Sequence, residues 1–141
     1  MLLGPMTHPE LIAVLGAAGH GAKILIIDGN YPASTGGNPA ADRIYLNLAP
    51  GLLDVDQVLS VIKKTIPIEA AGIMVPAPGG PPLDPAVHAG YKAALPDIPF
   101  EEMDRFAFYD AARSEDLAVI IATGDQRLYA NILLTIGVRT A

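Results

Sequence analysis

Apolar positions along the chain follow two rhythms. Lys23 to Ile27, Ala70 to Val75 and Leu117 to Thr123 are short, nearly unbroken apolar runs bounded by Gly, Pro or Asp, the signature of buried strands. Ile44 to Leu48 alternates as a shorter strand does. Asn131 to Val138 fits strand or helix by pattern and is read as strand. Elsewhere the apolar residues recur at helical spacing behind capping residues. Thr7-His8-Pro9-Glu10 forms a capping-box pattern ahead of a stripe at Leu11, Ile12, Leu15 and Ala18, with Gly19 as the stop. Asp54 caps a helix through about Thr65 with Val55, Val58, Leu59 and Ile62 on one face. Asp84-Pro85 opens a third helix through Tyr91 and Leu95, and Arg105 to Arg113 makes a fourth. Pro32 to Arg43 is a loop long enough to cover or line a site, Pro76 to Pro82 a turn cluster, Ile66 to Glu69 a boundary, and Pro96 to Glu102 a return of the chain. Strands alternating with helices predict an α/β fold: a single domain over residues 1–141, three α/β/α layers around a central, substantially parallel sheet.

Composition narrows the partners. Nine Lys and Arg against fifteen Asp and Glu give a net charge of -6, with no basic stripe, so a nucleic-acid footprint is not expected. The longest apolar run, Leu117 to Ala122, is too short to cross a bilayer, and Met1 to Met6 carries no basic leader; a cytoplasmic protein without a membrane partner is the expectation. Without cysteine there is no disulfide framework, thiol nucleophile or zinc-thiolate site. Only 17% of residues are charged while 51% are hydrophobic, and mean hydropathy is +0.37. So few charges cover so much apolar surface poorly, which predicts a homo-oligomer.

Candidate chemistry concentrates in Gly19 to Pro32. His20 lies between two glycines in the helix-to-strand turn, and Asp28 sits where the first strand meets its following loop, the place where open α/β sheets hold ligands. The expectation is that His20 and Asp28 form an acid/base pair at the mouth of a sugar-sized pocket, the carboxylate orienting the imidazole. Arg105, beside Phe106 and Phe108, and Tyr129 and Asn131, after the Leu117 strand, add the groups a neutral polyol needs. His8 and His88 lack such company and are read as helix-surface residues. The chain has no dinucleotide fingerprint, phosphate loop or nucleophile elbow, and its histidines and carboxylates have no metal-ligand spacing. No cofactor is required.

The ordered series His-Pro-Glu-Leu, Gly19-His20-Gly21, Asp28, Pro32-Ala33, Leu83-Asp84-Pro85, Arg105-Phe106-Ala107-Phe108-Tyr109, Thr123-Gly124-Asp125 and Tyr129-Ala130-Asn131-Ile132-Leu133-Leu134 resembles the D-ribose pyranase and L-fucose mutarotase family (RbsD/FucU) over nearly the whole chain. The Arg-Phe-Ala-Phe-Tyr segment is similar to the fucose mutarotase branch. The resemblance implies interconversion of the anomers of a free monosaccharide without metal or nucleotide. It makes His20 the catalytic acid/base, Asp28 its neighbour and a sugar ligand, Arg105 a ligand of sugar hydroxyls, and Tyr129, Ala130 and Asn131 the lining. It also implies ring-like decamers with sites near subunit boundaries. Asn30 stands where fucose mutarotases commonly carry His, which leaves the choice between L-fucose-like and D-ribose substrates open. The rival expectation is a non-catalytic monosaccharide-binding accessory of a sugar uptake system.

Overall fold

The structure is a computed structural model describing all residues from Met1 to Ala141. Six strands and four helices follow one another as α1 (Pro9–Ala17), β1 (Lys23–Ile27), β2 (Asp42–Tyr45), α2 (Val55–Ile62), β3 (Ile68–Met74), α3 (Pro85–Ala94), β4 (Phe100–Met103), α4 (Arg105–Ala112), β5 (Leu117–Ala122) and β6 (Ile132–Ile136). They form one mixed sheet in the order β2-β5-β1-β6-β3-β4. β1, β5 and β2 pair in parallel, as do β3 and β4, while β6 runs antiparallel between β1 and β3. Five strands therefore end at one edge of the sheet, where β6 begins. The α/β/α expectation holds.

Pleat alternation divides the core in two. Ile24, Ile26, Val119, Ile121, Ile132 and Leu134 face α1, α2 and α3, packing with Leu11, Leu15, Val58, Leu59 and Tyr91. Leu25, Ile27, Ile120, Ala122 and Leu133 face α4, packing with Tyr31, Phe108 and Ala112. No buried side-chain nitrogen or oxygen lacks a hydrogen-bond partner.

Several local expectations need correcting. His8, not Thr7, caps α1: its Nδ1 accepts from the Leu11 amide at 3.3 Å. The helix ends at Ala17 with Ala18 extended, and the glycine that needs its freedom is Gly21, at φ +84°. Asp54 does form a capping box, with Gln57 as the reciprocal partner. β2 starts at Asp42 because its register against β5 begins there. Pro96 to Glu102 is more than a return of the chain, since Phe100–Met103 is edge strand β4. The loop after β1 packs on the α4 layer. It is laced by Arg43, which donates to the carbonyls of Ala33, Asn38 and Ala41.

Candidate active site

Asp28 follows β1 at the sheet edge where the parallel strands end. Its Oδ1 accepts from the amides of Asn30 and Tyr31 at 2.9 and 3.0 Å, and its Oδ2 from Asn131 Nδ2 at 3.2 Å. Asn131 Oδ1 in turn accepts from the Asp28 amide at 2.8 Å. Both residues are buried. Burial pushes the Asp28 carboxyl above its ordinary value, the amides of Asn30 and Tyr31 pull it back, and the nearby Asp125 carboxylate adds to the rise.

Tyr129 and Ala130 reach the same edge on the segment that leads into β6. Tyr129 is the one non-glycine residue with positive φ, at 62°, a backbone state that needs outside support. Helix α3 provides it on one face: His88 Nε2–H donates to the Tyr129 carbonyl at 3.0 Å and the Tyr91 hydroxyl to the Ala130 carbonyl at 2.9 Å. His88 is thus a buried histidine rather than a helix-surface residue, and burial lowers its pKa. Its spacing to Tyr91, three residues on, was the available signal in the sequence.

On the other side of Asp28, the turn after β5 carries Thr123, Gly124 and Asp125. A Cβ at Gly124 would run into the carbonyls of Ala49 and Leu52, so only glycine fits. Asp125 Oδ2 accepts from the Val55 amide and Arg127 Nη2, and Oδ1 from Arg127 Nε and its amide; Arg127 also reaches Asp56 on α2. Burial alone would raise the Asp125 carboxyl, but these donors outweigh it and hold the group below the usual carboxylate range. Between this turn and the Asp28 loop lies a polar pocket of about 380 Å³ lined by Gly29, Asn30, Asn47, Thr123, Asp125 and Gln126, with none of residues 32–43 among its walls. A cleft of that size and polarity suits a small polyhydroxylated molecule.

Arg105 is the first residue of α4, directly after β4, so it too belongs to this edge. Its guanidinium lies 4.8 Å from the centroid of the exposed Phe106 ring and has no carboxylate partner. No group of three or more His, Asp or Glu side chains is arranged to hold a metal ion.

His20 is elsewhere. It precedes β1 while Asp28 follows it, and the strand puts about 13 Å of extended backbone between its ends. The expected pairing of His20 with Asp28 therefore does not form within one chain. Two residues that flank a strand lie at opposite edges of its sheet, however close they stand in sequence. His20 instead pairs with Glu69, Nε2 lying 2.9 Å from Oε2 and 3.1 Å from Oε1, with the imidazole more than half exposed. The sequence marks Glu69 only as part of a boundary. The structure thus brings Asp28, Tyr129, Ala130 and Asn131 together, sets Arg105 on the same edge, and leaves His20 at the far one.

No helix is long and apolar enough to cross a membrane. The profile of the "RbsD / FucU transport protein family" matches residues 1–139. FucU from Bifidobacterium longum superposes with a TM-score of 0.80 at 29% identity, covering 94% of this chain and 95% of that one. RbsD from Bacillus subtilis, complexed with D-ribose, gives 0.85 at 22% identity over 99% and 100%. The fucose mutarotase from Streptococcus pneumoniae, in complex with L-fucose, gives 0.83 at 24% over 99% and 100%. At their level of identity, the last two show a shared fold.

Proposed function

The chain belongs to the RbsD/FucU family, and from that membership we propose that it is an isomerase interconverting the anomers of a free monosaccharide. An L-fucose-like sugar or D-ribose is the candidate substrate, because similar folds have been captured with L-fucose and with D-ribose. The observation that carries the proposal is the Asp28–Asn131 pair beside a polar pocket, with Tyr129 and Ala130 held by α3. A buried carboxylate with its amide partner fixed is equipment for gripping sugar hydroxyls in one pose.

Mutarotation takes the proton from the anomeric hydroxyl, breaks the bond between the anomeric carbon and the ring oxygen, and delivers a proton to that oxygen. Closure on the other carbonyl face reverses these transfers. His20 is the proposed acid/base, and one imidazole serves both ends when the sugar is held still, with Tyr129 or a water carrying the second proton. Positioned proton transfer of this kind contributes about 10²- to 10⁴-fold. Arg105, Asp28 and Asn131 orient the substrate.

Since His20 and Asp28 occupy opposite edges of one sheet, the reacting site takes His20 from a second copy. Such a contact joins one edge of a subunit to the other edge of the next. Head-to-tail contacts of this type close into rings when the rotation permits. Exposed Phe106, Leu48 and Leu128 supply apolar surface for self-association. The proposed protein is therefore a homo-oligomer, a decamer of rings being the form that the family resemblance implies.

Saturation-transfer NMR on equilibrated L-fucose and D-ribose tests the activity. The protein should transfer magnetisation between α and β anomers, and His20→Ala should stop it while assembly persists. Line broadening without transfer would instead mark a non-catalytic sugar-binding accessory.

A further inference from the structure

Between Arg127 and Asn131 the chain is held at one peptide. Arg127 is tied to Asp125 and Asp56, and Asn131 to Asp28. Tyr129, between them, makes a single hydrogen bond, and its donor is His88 Nε2–H at 3.0 Å. The Tyr129 ring packs on the α4 layer while Ala130 is buried in the layer of α1, α2 and α3, so the chain crosses from one face of the sheet to the other here. The crossing takes Tyr129 to φ 62°, where a residue with a side chain stays only when its surroundings hold it. The bond from α3 fixes more than Tyr129. The Tyr129–Ala130 peptide is trans, so its C=O and N–H point in opposite directions. With the carbonyl on His88, the N–H lies on the side away from α3, and the Ala130 amide is one of those that pull the Asp28 carboxyl down. His88 can hold this direction because its own ring is fixed: it is buried and set against the Tyr91 ring, 6.1 Å between centroids.

We propose that His88 is a positioning residue for the sugar site: it sets the direction of the Tyr129–Ala130 peptide so that the Ala130 N–H is aimed at Asp28, the carboxylate that grips the sugar. This rests on the reading of Asp28 and Tyr129, Ala130 and Asn131 as the sugar-binding groups. Freed from His88, the peptide turns its carbonyl towards Asp28 for part of the time, and an acceptor facing a carboxylate leaves the site unfit for a sugar. Apparent affinity then falls in proportion to the fraction of subunits still in the competent state. A bound sugar selects that state, so the proton transfers themselves keep their rate.

The test uses the assembled full-length protein with L-fucose and D-ribose as probes. His88→Met fills the space of the ring without a donor, and His88→Gln fills it with one. His88→Met should weaken sugar binding in an NMR titration, and raise KM for anomer exchange, by about fivefold or more, with kcat within about twofold of the parent. His88→Gln should stay within about twofold of the parent in affinity, KM and kcat. Parental affinity in His88→Met overturns the role, and so does a loss that falls on kcat as heavily as on KM or that His88→Gln shares in full. A parent that binds sugar without exchanging its anomers overturns the isomerase reading, while the affinities of the two variants still decide the role of His88.

Discussion

Asp28 and Asn131 bind each other in both directions: the Asp28 amide donates to Asn131 Oδ1 at 2.8 Å, and Asn131 Nδ2 donates to Asp28 Oδ2 at 3.2 Å. Only a side chain carrying both an acceptor and a donor closes this loop. Asn131→Ala leaves a buried amide and a buried carboxylate each one partner short, at a cost of about 1–3 kcal/mol. Thermal unfolding at fixed protein concentration should show the drop, and the variant should lose sugar binding in titration calorimetry. A variant of parental stability and affinity would remove the pair from the account.

Arg127 ties the turn after β5 to α2, bridging Asp125 and Asp56. Asp125 is buried whereas Asp56 is about 40% exposed, so the two halves of the bridge differ in weight. Arg127→Ala strips a buried carboxylate of its charged donor and should cost about 2 kcal/mol, while Asp56→Ala should cost under about 1 kcal/mol. Unfolding of the two variants side by side checks the ranking; equal losses would contradict it.

His88 gives the fold a dependence on pH. Burial lowers its pKa, the Tyr129 carbonyl pulls the other way, and Lys92 and Glu102 add smaller, opposed effects. Below the ordinary value of 6.5 the unfolded chain takes up a proton that the folded chain refuses. The stability contributed by neutral His88 is therefore complete above pH 6.5 and is lost as pH falls from 6.5 towards the lower folded value. His88→Gln keeps a donor for the Tyr129 carbonyl but cannot titrate. Its melting temperature should fall less steeply than the parent's over that window, and parallel slopes would show that His88 does not drive the dependence.

Much of this fold was legible because its signals are local. Asp54, with Gln57 three residues on, announces α2, and the isoleucine-rich runs of β1 and β5 bury on both faces. β4 was harder to read. Four residues with two exposed glutamates, Phe100–Met103, carry too little alternation, and only pairing with β3 makes them a strand. That Asp28, Tyr129 and Asn131 share one edge of the sheet follows from their places at strand ends, which the sequence shows. The expected pairing of His20 with Asp28 does not form within one chain because the intervening strand β1 sets neighbours in sequence far apart in space. Glu69 was invisible for the opposite reason. It lies 49 positions from His20, and its direction comes from a bulge that exists only once β3 meets β6.

The central claim is anomer exchange at a site shared between two copies of the chain, and subunit complementation tests it most directly. His20→Ala and Asp28→Asn are prepared separately, then unfolded together in equal amounts and refolded as mixed oligomers, with exchange read by saturation-transfer NMR. Each variant alone should be inactive. In random mixtures one site in four joins an intact Asp28 from one copy to an intact His20 from the next, so about a quarter of parental exchange should return. Mixed oligomers as silent as the two variants alone would contradict the shared site.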